Sequence, residues 1–249
     1  MTRLTAIIIT KNEAAHIGAC LDSVAFCDER IVVDGGSTDD TPAIAAAKGA
    51  RVVAHAFEGF GAQKAFALSL AEGDWVLSID ADERVTPALA VEIKTAIATA
   101  AADGYELTRQ SSFCGRMIRY GGWSPDRVLR LFRRGRARFS EHVVHERINC
   151  DGPVARLREP LLHYPVLKLE DALSRIDRYS TAGAAGLVGP GKTVWFGSGI
   201  SHGLWAFFRV YILRGGFLDG REGFLLAVAI AEGSYYRYMK AWMKSRPRA

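Results

Sequence analysis

The chain has 249 residues, of which 49% are hydrophobic and 24% are charged, as in folded globular proteins. This composition excludes a disordered chain, a collagen-like chain and a coiled coil. The length fits one large domain, or one domain with a small addition. Every apolar stretch of about 18 residues contains at least one charged residue. Residues 1–10 do not show the order of basic, apolar and small-residue regions that is typical of a signal peptide. We therefore predict neither a spanning helix nor a cleaved leader.

The first hundred residues alternate between strand and helix patterns. Apolar, β-branched runs predict strands at 4–10, 30–33, 51–54 and 74–79, and the segments between and after them predict helices at 12–23, 42–49, 61–71 and 87–102. This alternation is typical of a mostly parallel sheet with helices on both faces. The predicted fold class is α/β.

Acidic residues follow three of the predicted strands, at 10–13 (TKNE), 34–39 (DGGSTD) and 80–83 (DADE). Ligands of such sheets bind beyond the carboxyl ends of the strands. Asp80 and Asp82 would repel each other, and paired carboxylates suit Mg²⁺ or Mn²⁺ on a diphosphate. Helix capping remains an alternative for Asp39 and Glu13. The glycine patterns of dinucleotide folds and of P-loops are missing, which disfavours a dehydrogenase or an NTPase and favours a nucleotide-sugar site.

Charge is segregated along the chain. Residues 1–108 contain 8 lysines and arginines against 16 acids, whereas residues 109–138 contain nine arginines and one acid. Residues 205–249 carry a net charge of +5. The acidic part suggests a cation or nucleotide site, and the basic parts suggest an anionic partner or a solvated surface. No RNA or DNA motif accompanies the charge, so nucleic acid is not a predicted partner. The four cysteines form no close pair, which predicts reduced thiols as in a cytosolic protein and no zinc or redox motif.

The segments 10–13 (TKNE), 33–41 (VDGGSTDDT) and 77–83 (LSIDADE) resemble the three donor-site motifs of family 2 glycosyltransferases, in order and in spacing. Segments 121–134 and 144–146 (VHE) resemble the branch of that family that adds glucose to an inner-core heptose of lipopolysaccharide. The resemblance implies a GT-A fold, in which a Rossmann-like nucleotide half merges with an acceptor half.

The resemblance also implies residue roles. Glu13, Asp34 and Asp39 correspond to acids that hold uracil and ribose of a UDP-sugar, Asp80 to a ribose or metal contact, and Asp82 to the ligand of Mg²⁺ or Mn²⁺. The implied donor-site residues are Thr10, Asn12, Glu13, Asp34, Ser37, Asp39 and Asp80. Lys64 could reach the nucleotide, but we favour a solvated helix lysine.

Family 2 enzymes invert the anomeric centre, which requires a base for the acceptor hydroxyl. The candidate base is Glu146, with Glu141 and Asp126 as alternatives. By the same resemblance, His163 matches the position of a late histidine that ligates metal in many GT-A enzymes; a packed core histidine is the alternative.

Arginine binds phosphates through its planar fork, and a phosphorylated saccharide would supply them. The predicted acceptor-binding residues are Trp123, Asp126, Arg130 and Arg133. Pairing of these arginines with acids of residues 1–108 is the alternative.

From residue 168 the pattern becomes helical, with a glycine-rich break at 186–199. The segments 200–213 and 223–243 carry aromatic and basic residues together, which suits an anionic membrane surface. Packing on the catalytic domain or on a second subunit is the alternative. We expect a peripheral protein on the inner face of the cytoplasmic membrane.

Together these features predict a GT-A domain over 1–165, with a donor half at 1–108 and an acceptor half at 109–165, and a membrane-associating helical region at 166–249. The predicted activity is metal-dependent transfer of a hexose, glucose from UDP-glucose, to a heptose of a lipid-anchored core saccharide. A polyprenyl phosphate acceptor and ADP-heptose as donor stay open. A binding protein with a degenerate donor site and a nucleotidyltransferase of related fold are weaker alternatives.

Overall fold

The computed structural model describes residues 2–140, 148–189 and 194–246. The strands are β1 (Leu4–Thr10), β2 (Glu29–Asp34), β3 (Arg51–Ala54), β4 (Trp75–Asp80), β5 (Glu83–Val85), β6 (Gly104–Phe113), β7 (Arg116–Met117), β8 (Asp126–Arg133), β9 (Ala137–Phe139), β10 (Ile148–Cys150) and β11 (Val154–Val166). The α-helices are α1 (Ile17–Ser23), α2 (Thr41–Ala47), α3 (Phe60–Ser69), α4 (Pro87–Thr99), α5 (Leu169–Ala185), α6 (Gly197–Phe208) and α7 (Gly220–Ser245).

The main sheet has the order β3-β2-β1-β4-β8-β6-β11-β5, with β7 paired to β6. Strands β1 to β4 are parallel, whereas β8 runs antiparallel to both β4 and β6. The α/β prediction is confirmed, and the sheet is mixed where we expected it to be mostly parallel. Parallel pairing needs a crossover between strands, which α1, α2 and α3 supply before β4, whereas no helix separates β6, β7 and β8, which pair antiparallel.

The first helix is shorter than predicted. Residues 12–16 form a turn in which the N–H groups of His16 and Ile17 both donate to the Glu13 carbonyl. Asn12 has a left-handed backbone (φ 56°), which asparagine tolerates better than most residues. The chain therefore leaves β1 through a polar loop, and α1 starts only at Ile17.

The central strands are buried on both faces. Ile8 and Leu77 belong to one apolar cluster, and Ile7 and Val33 belong to another. Side chains alternate across a strand, so successive residues of β1 fill the two clusters. This double burial fixes the strands and brings the carboxyl ends of β1, β2 and β4 to one edge of the sheet.

The chain divides into two compact units, residues 1–109 with 126–163, and residues 110–125 with 164–249. In the second unit, α5 and α6 pack against α7, and the Asp219 carboxylate accepts the N–H groups of Arg119 and Tyr120. Residues 110–125, which we assigned to the acceptor half, lie in this unit, and the functional division at residue 165 stays a prediction. Among the described helices, none has the length and apolar content to cross a bilayer.

Candidate active site

The three acidic segments meet at one edge of the sheet. The strand register pairs Thr10 with Asp34 and Ile9 with Asp80. The residues that follow β1, β2 and β4 are therefore neighbours, although they lie far apart in the sequence. This edge is the binding edge of parallel α/β sheets.

The loops after β1 and β2 are bonded to each other. The Asn12 amide oxygen accepts the Thr38 N–H at 2.7 Å, and the Asn12 N–H donates to the Ser37 hydroxyl at 2.8 Å. Asp34 accepts the N–H of Ser37 at 2.9 Å, which holds the second loop against its own strand. The Thr10 hydroxyl is buried and has no hydrogen-bond partner among the described residues. The two loops form a hydrogen-bonded polar cradle beside the Thr10 hydroxyl, which has no partner among the described residues.

Asp39 joins the first loop to the start of α2. Its carboxylate accepts the Thr41 N–H at 3.1 Å and the Ala14 N–H at 3.2 Å. The hydrogen bond from the Thr41 hydroxyl is the main reason that the pKa of Asp39 lies below its usual value. Asp39 therefore ties the two loops together next to α2, whose N-cap residue is Asp40, and the contact of Asp39 with a nucleotide, like that of Glu13, stays a prediction.

Asp80 is held by two cations. Lys64 Nζ lies 2.8 Å from one carboxylate oxygen, and an Arg130 guanidinium nitrogen lies 2.6 Å from the other. Burial raises the pKa of Asp80, but Arg130 and Lys64 outweigh burial and keep it well below its usual value. Our prediction of a solvated Lys64 is wrong, because its side chain is only 3% exposed and is paired with Asp80.

The ion pairs continue beyond Asp80. The same Arg130 nitrogen lies 2.6 Å from Glu83, which is fully buried and also accepts the Asp80 N–H at 2.9 Å. Arg109 lies 3.3 Å from Glu83 and 2.7 Å from Asp126. We call these six residues the charge chain: Lys64, Asp80, Arg130, Glu83, Arg109 and Asp126. Cations and anions alternate along it, so each buried charge has an opposite neighbour.

The predicted acceptor residues do not gather around a phosphate-binding arginine cluster. Arg130 is buried in the charge chain, so for it the alternative of pairing with acids of residues 1–108 is correct. Arg133 is in register with Trp75, at the far end of β4, about 17 Å along the strand from Asp80. It is 3.1 Å from Asp103 there. Trp123 lies in the second unit and packs edge-to-face on Phe113.

Asp82 and His163 come together through a short antiparallel pair. Strands β5 and β11 place His163 opposite Glu83, and its Nε2 lies 3.3 Å from an Asp82 oxygen. Burial raises the pKa of Asp82, but the hydrogen bond and charge of His163 bring it below its usual value. Both side chains keep some exposure, 16% and 14%.

This pair fits a divalent ion that is shared with a ligand. A carboxylate oxygen and an imidazole nitrogen are common donors to divalent ions, whereas both oxygens of Asp80 already contact cations. The described residues contain no cluster of three or more histidines, cysteines or acids that would form a cage for an ion. Ions that bind diphosphates use one or two protein donors and complete their shell with phosphate oxygens and water.

The candidate base Glu146 and its alternative Glu141 lie outside the described residues, as do His142 and His145. Sequence reasoning did not identify Glu83 and Arg109 as members of the site. A lysine in the otherwise uncharged helix α3 (FGAQKAFALS) was the one local signal for the burial of Lys64.

Replacing Arg130 tests the charge chain. We expect Arg130→Met to lower the free energy of unfolding in urea by about 3–5 kcal/mol, because Glu83 keeps a buried charge without its main partner. Adding Glu83→Gln should restore part of the loss. The matched control is Arg156→Met, whose exposed pair with Glu106 should contribute under about 1 kcal/mol. Equal losses for the two single variants would contradict a buried network.

Comparison with known proteins identifies the family of the chain. The family model of Glycosyl transferase family 2 matches residues 5–157. An uncharacterized glycosyltransferase of Rickettsia felis is 34% identical over 96% of this chain and 89% of its own length. The lipopolysaccharide core biosynthesis glycosyltransferase LpsC of Rhizobium meliloti is 33% identical over 96% of this chain and 90% of its own.

Among solved structures, glucosyl-3-phosphoglycerate synthase of Mycobacterium tuberculosis, with Mn²⁺, UDP and glucosyl-3-phosphoglycerate, matches with a TM-score of 0.36 and 29% identity. That match covers 46% of this chain and 45% of the synthase. The family match spans more than half of the chain, and the two curated relatives match almost all of it. The chain is therefore a glycosyltransferase and belongs to glycosyl transferase family 2.

Proposed function

We propose that the chain is an inverting, metal-dependent hexosyltransferase that moves glucose from UDP-glucose to a heptose of the lipopolysaccharide inner core. The observation that carries the proposal is the Asp82–His163 pair beside a neutralised Asp80. The similarity to LpsC over nearly the whole chain supports the choice of acceptor. A lipid-anchored acceptor would place the protein at the inner face of the cytoplasmic membrane.

The donor would lie on the polar cradle after β1 and β2. The buried Thr10 hydroxyl, without a partner among the described residues, supports a polar ligand there. Asp82 and His163 would hold Mg²⁺ or Mn²⁺, and the bound ion would neutralise charge on the departing diphosphate. Lys64 and Arg130 keep Asp80 ionised and fixed, so that it orients the loop that carries Asp82.

The transfer is a single in-line displacement. The acceptor hydroxyl oxygen forms a bond to the anomeric carbon, while the bond from that carbon to the β-phosphate oxygen breaks and UDP leaves with the electron pair. The hydroxyl proton goes to the carboxylate of Glu146, and attack from the opposite face inverts the configuration. Glu146 would thus act on the acceptor hydroxyl, and an ion held by Asp82 and His163 would supply the positive charge that stabilises the leaving diphosphate.

Calorimetric titration with UDP-glucose and ADP-heptose, with and without Mn²⁺, tests the donor site. We expect wild type to bind UDP-glucose with Mn²⁺, and Asp82→Asn to lose the effect of Mn²⁺ while remaining folded. Asp22→Asn, which removes one acid from an exposed surface pair with Lys48, is the matched control and should bind as wild type. Unchanged affinity of Asp82→Asn would refute the metal assignment, and preference for ADP-heptose would refute the proposed donor.

The general base is tested by kinetics. Glu146→Gln should leave the affinity for UDP-glucose unchanged and lower kcat by about 10²–10⁴-fold, the usual contribution of a general base. Glu141→Gln, five residues away in the sequence, serves as the control and should retain most of the turnover. Near-normal turnover of Glu146→Gln would exclude Glu146, and a loss confined to Glu141→Gln would assign the base to Glu141.

A further inference from the structure

Helix α6 buries small residues and exposes large apolar ones. Its buried residues are the small Gly199, Gly203 and Ala206. Its large apolar residues face outward, with Leu204 69% exposed and Trp205 53% exposed. A helix of a water-soluble domain normally has the opposite arrangement, with bulky apolar residues toward the core.

Close packing against α7 holds α6 in this orientation. A Cβ atom at Gly203 would lie 3.3 Å from the Tyr235 Cβ, and one at Gly199 would lie 2.5 Å from the Met239 Cε. The side of α6 that meets α7 therefore has no room for bulky residues. Rotating the helix to bury Leu204 or Trp205 would place large side chains where Gly199, Gly203 and Ala206 now approach their neighbours, so this packing favours their exposure.

The exposed apolar surface continues past α6. A π-helical turn (Arg209–Leu213) and a 3-10 turn (Gly216–Asp219) follow, and their Leu213 and Leu218 are both more than half exposed. Ring contacts link Phe207, Tyr211 and Phe217 across these elements. We define the aromatic patch as Ile200, Leu204, Trp205, Phe208, Phe217 and Leu218, all of which are at least 44% exposed. Continuous apolar surfaces of this kind mark interaction sites.

The charge around the patch is positive. Residues 194–218 contain no aspartate or glutamate, and they contain Arg209 and Arg214. Three acids follow in 219–246, of which Asp219 is buried and Glu222 contacts Arg116 at 3.3 Å. Seven lysines and arginines lie within 194–246. Apolar and aromatic residues beside a basic border complement an anionic lipid surface, which offers acyl chains and phosphate groups together.

We propose that the aromatic patch is an interfacial membrane anchor that inserts its side chains among the headgroups of an anionic bilayer. The anchor would lie along the surface rather than cross it, in keeping with the length and polarity of the described helices. The proposal goes beyond glycosyl transfer and holds for any acceptor.

Vesicle sedimentation with the full chain tests the anchor. Wild type should bind vesicles of phosphatidylcholine with phosphatidylglycerol more tightly than vesicles of phosphatidylcholine alone, and added salt should weaken binding. The double variant Leu204→Ser/Phe208→Ser should bind at least about tenfold more weakly, because two large apolar groups no longer leave water. Val91→Ser, at an equally exposed position (66%) on α4, is the control and should bind as wild type.

A second variant, Arg209→Glu, reports on charge and does not alter the apolar surface. It should weaken binding to the anionic vesicles by about fivefold or more. Circular dichroism of each variant checks folding, and Arg209→Glu decides the question if the double variant unfolds. Failure of wild type to bind vesicles would overturn the proposal, as would full binding by folded variants. A concentration-dependent dimer that only the patch variants abolish, without vesicle binding, would assign the patch to a second copy.

Discussion

The site depends on one buried guanidinium. Arg130 lies between Asp80 and Glu83, and one of its guanidinium nitrogens is 2.6 Å from a carboxylate oxygen of each. It thereby links strand β8 to strands β4 and β5. In surroundings of low dielectric constant, two carboxylates so close together would be costly without a shared cation. Glu83 in turn accepts the Asp80 N–H, so the same cluster fixes the backbone that leads to Asp82.

This arrangement gives two nearby acids different environments. Both side chains are partly exposed, Asp80 by 29% and Asp82 by 16%, but Asp80 contacts the two cations Lys64 and Arg130, whereas Asp82 contacts His163. The sequence suggested that Asp80 and Asp82 repel each other. Lys64 and Arg130 reduce this repulsion by offsetting the charge of Asp80. We infer that this asymmetry leaves Asp82 as the acid that meets a ligand, in keeping with the rule that environment assigns the roles of paired carboxylates.

The sequence predicted those parts of the structure that depend on local patterns. The strand at 51–54 agrees in both bounds, and the three acidic segments meet at one sheet edge, because strand periodicity and parallel connectivity determine both. The burial of Lys64 and the pairing of Arg130 with Asp80 rest on contacts across 16 and 50 residues. The outward face of α6 could not be foreseen either, because it follows from the fit of its glycines against α7.

We propose that Asp82 and His163 hold the catalytic ion together with the donor diphosphate. Pulsed electron paramagnetic resonance of the protein with Mn²⁺ and UDP measures this directly, because a bound imidazole nitrogen couples to the manganese electron spin. We expect a nitrogen coupling in wild type that disappears in His163→Gln and persists in His202→Gln, a change at a solvent-exposed histidine. A Mn²⁺–UDP complex that forms without this coupling would contradict it.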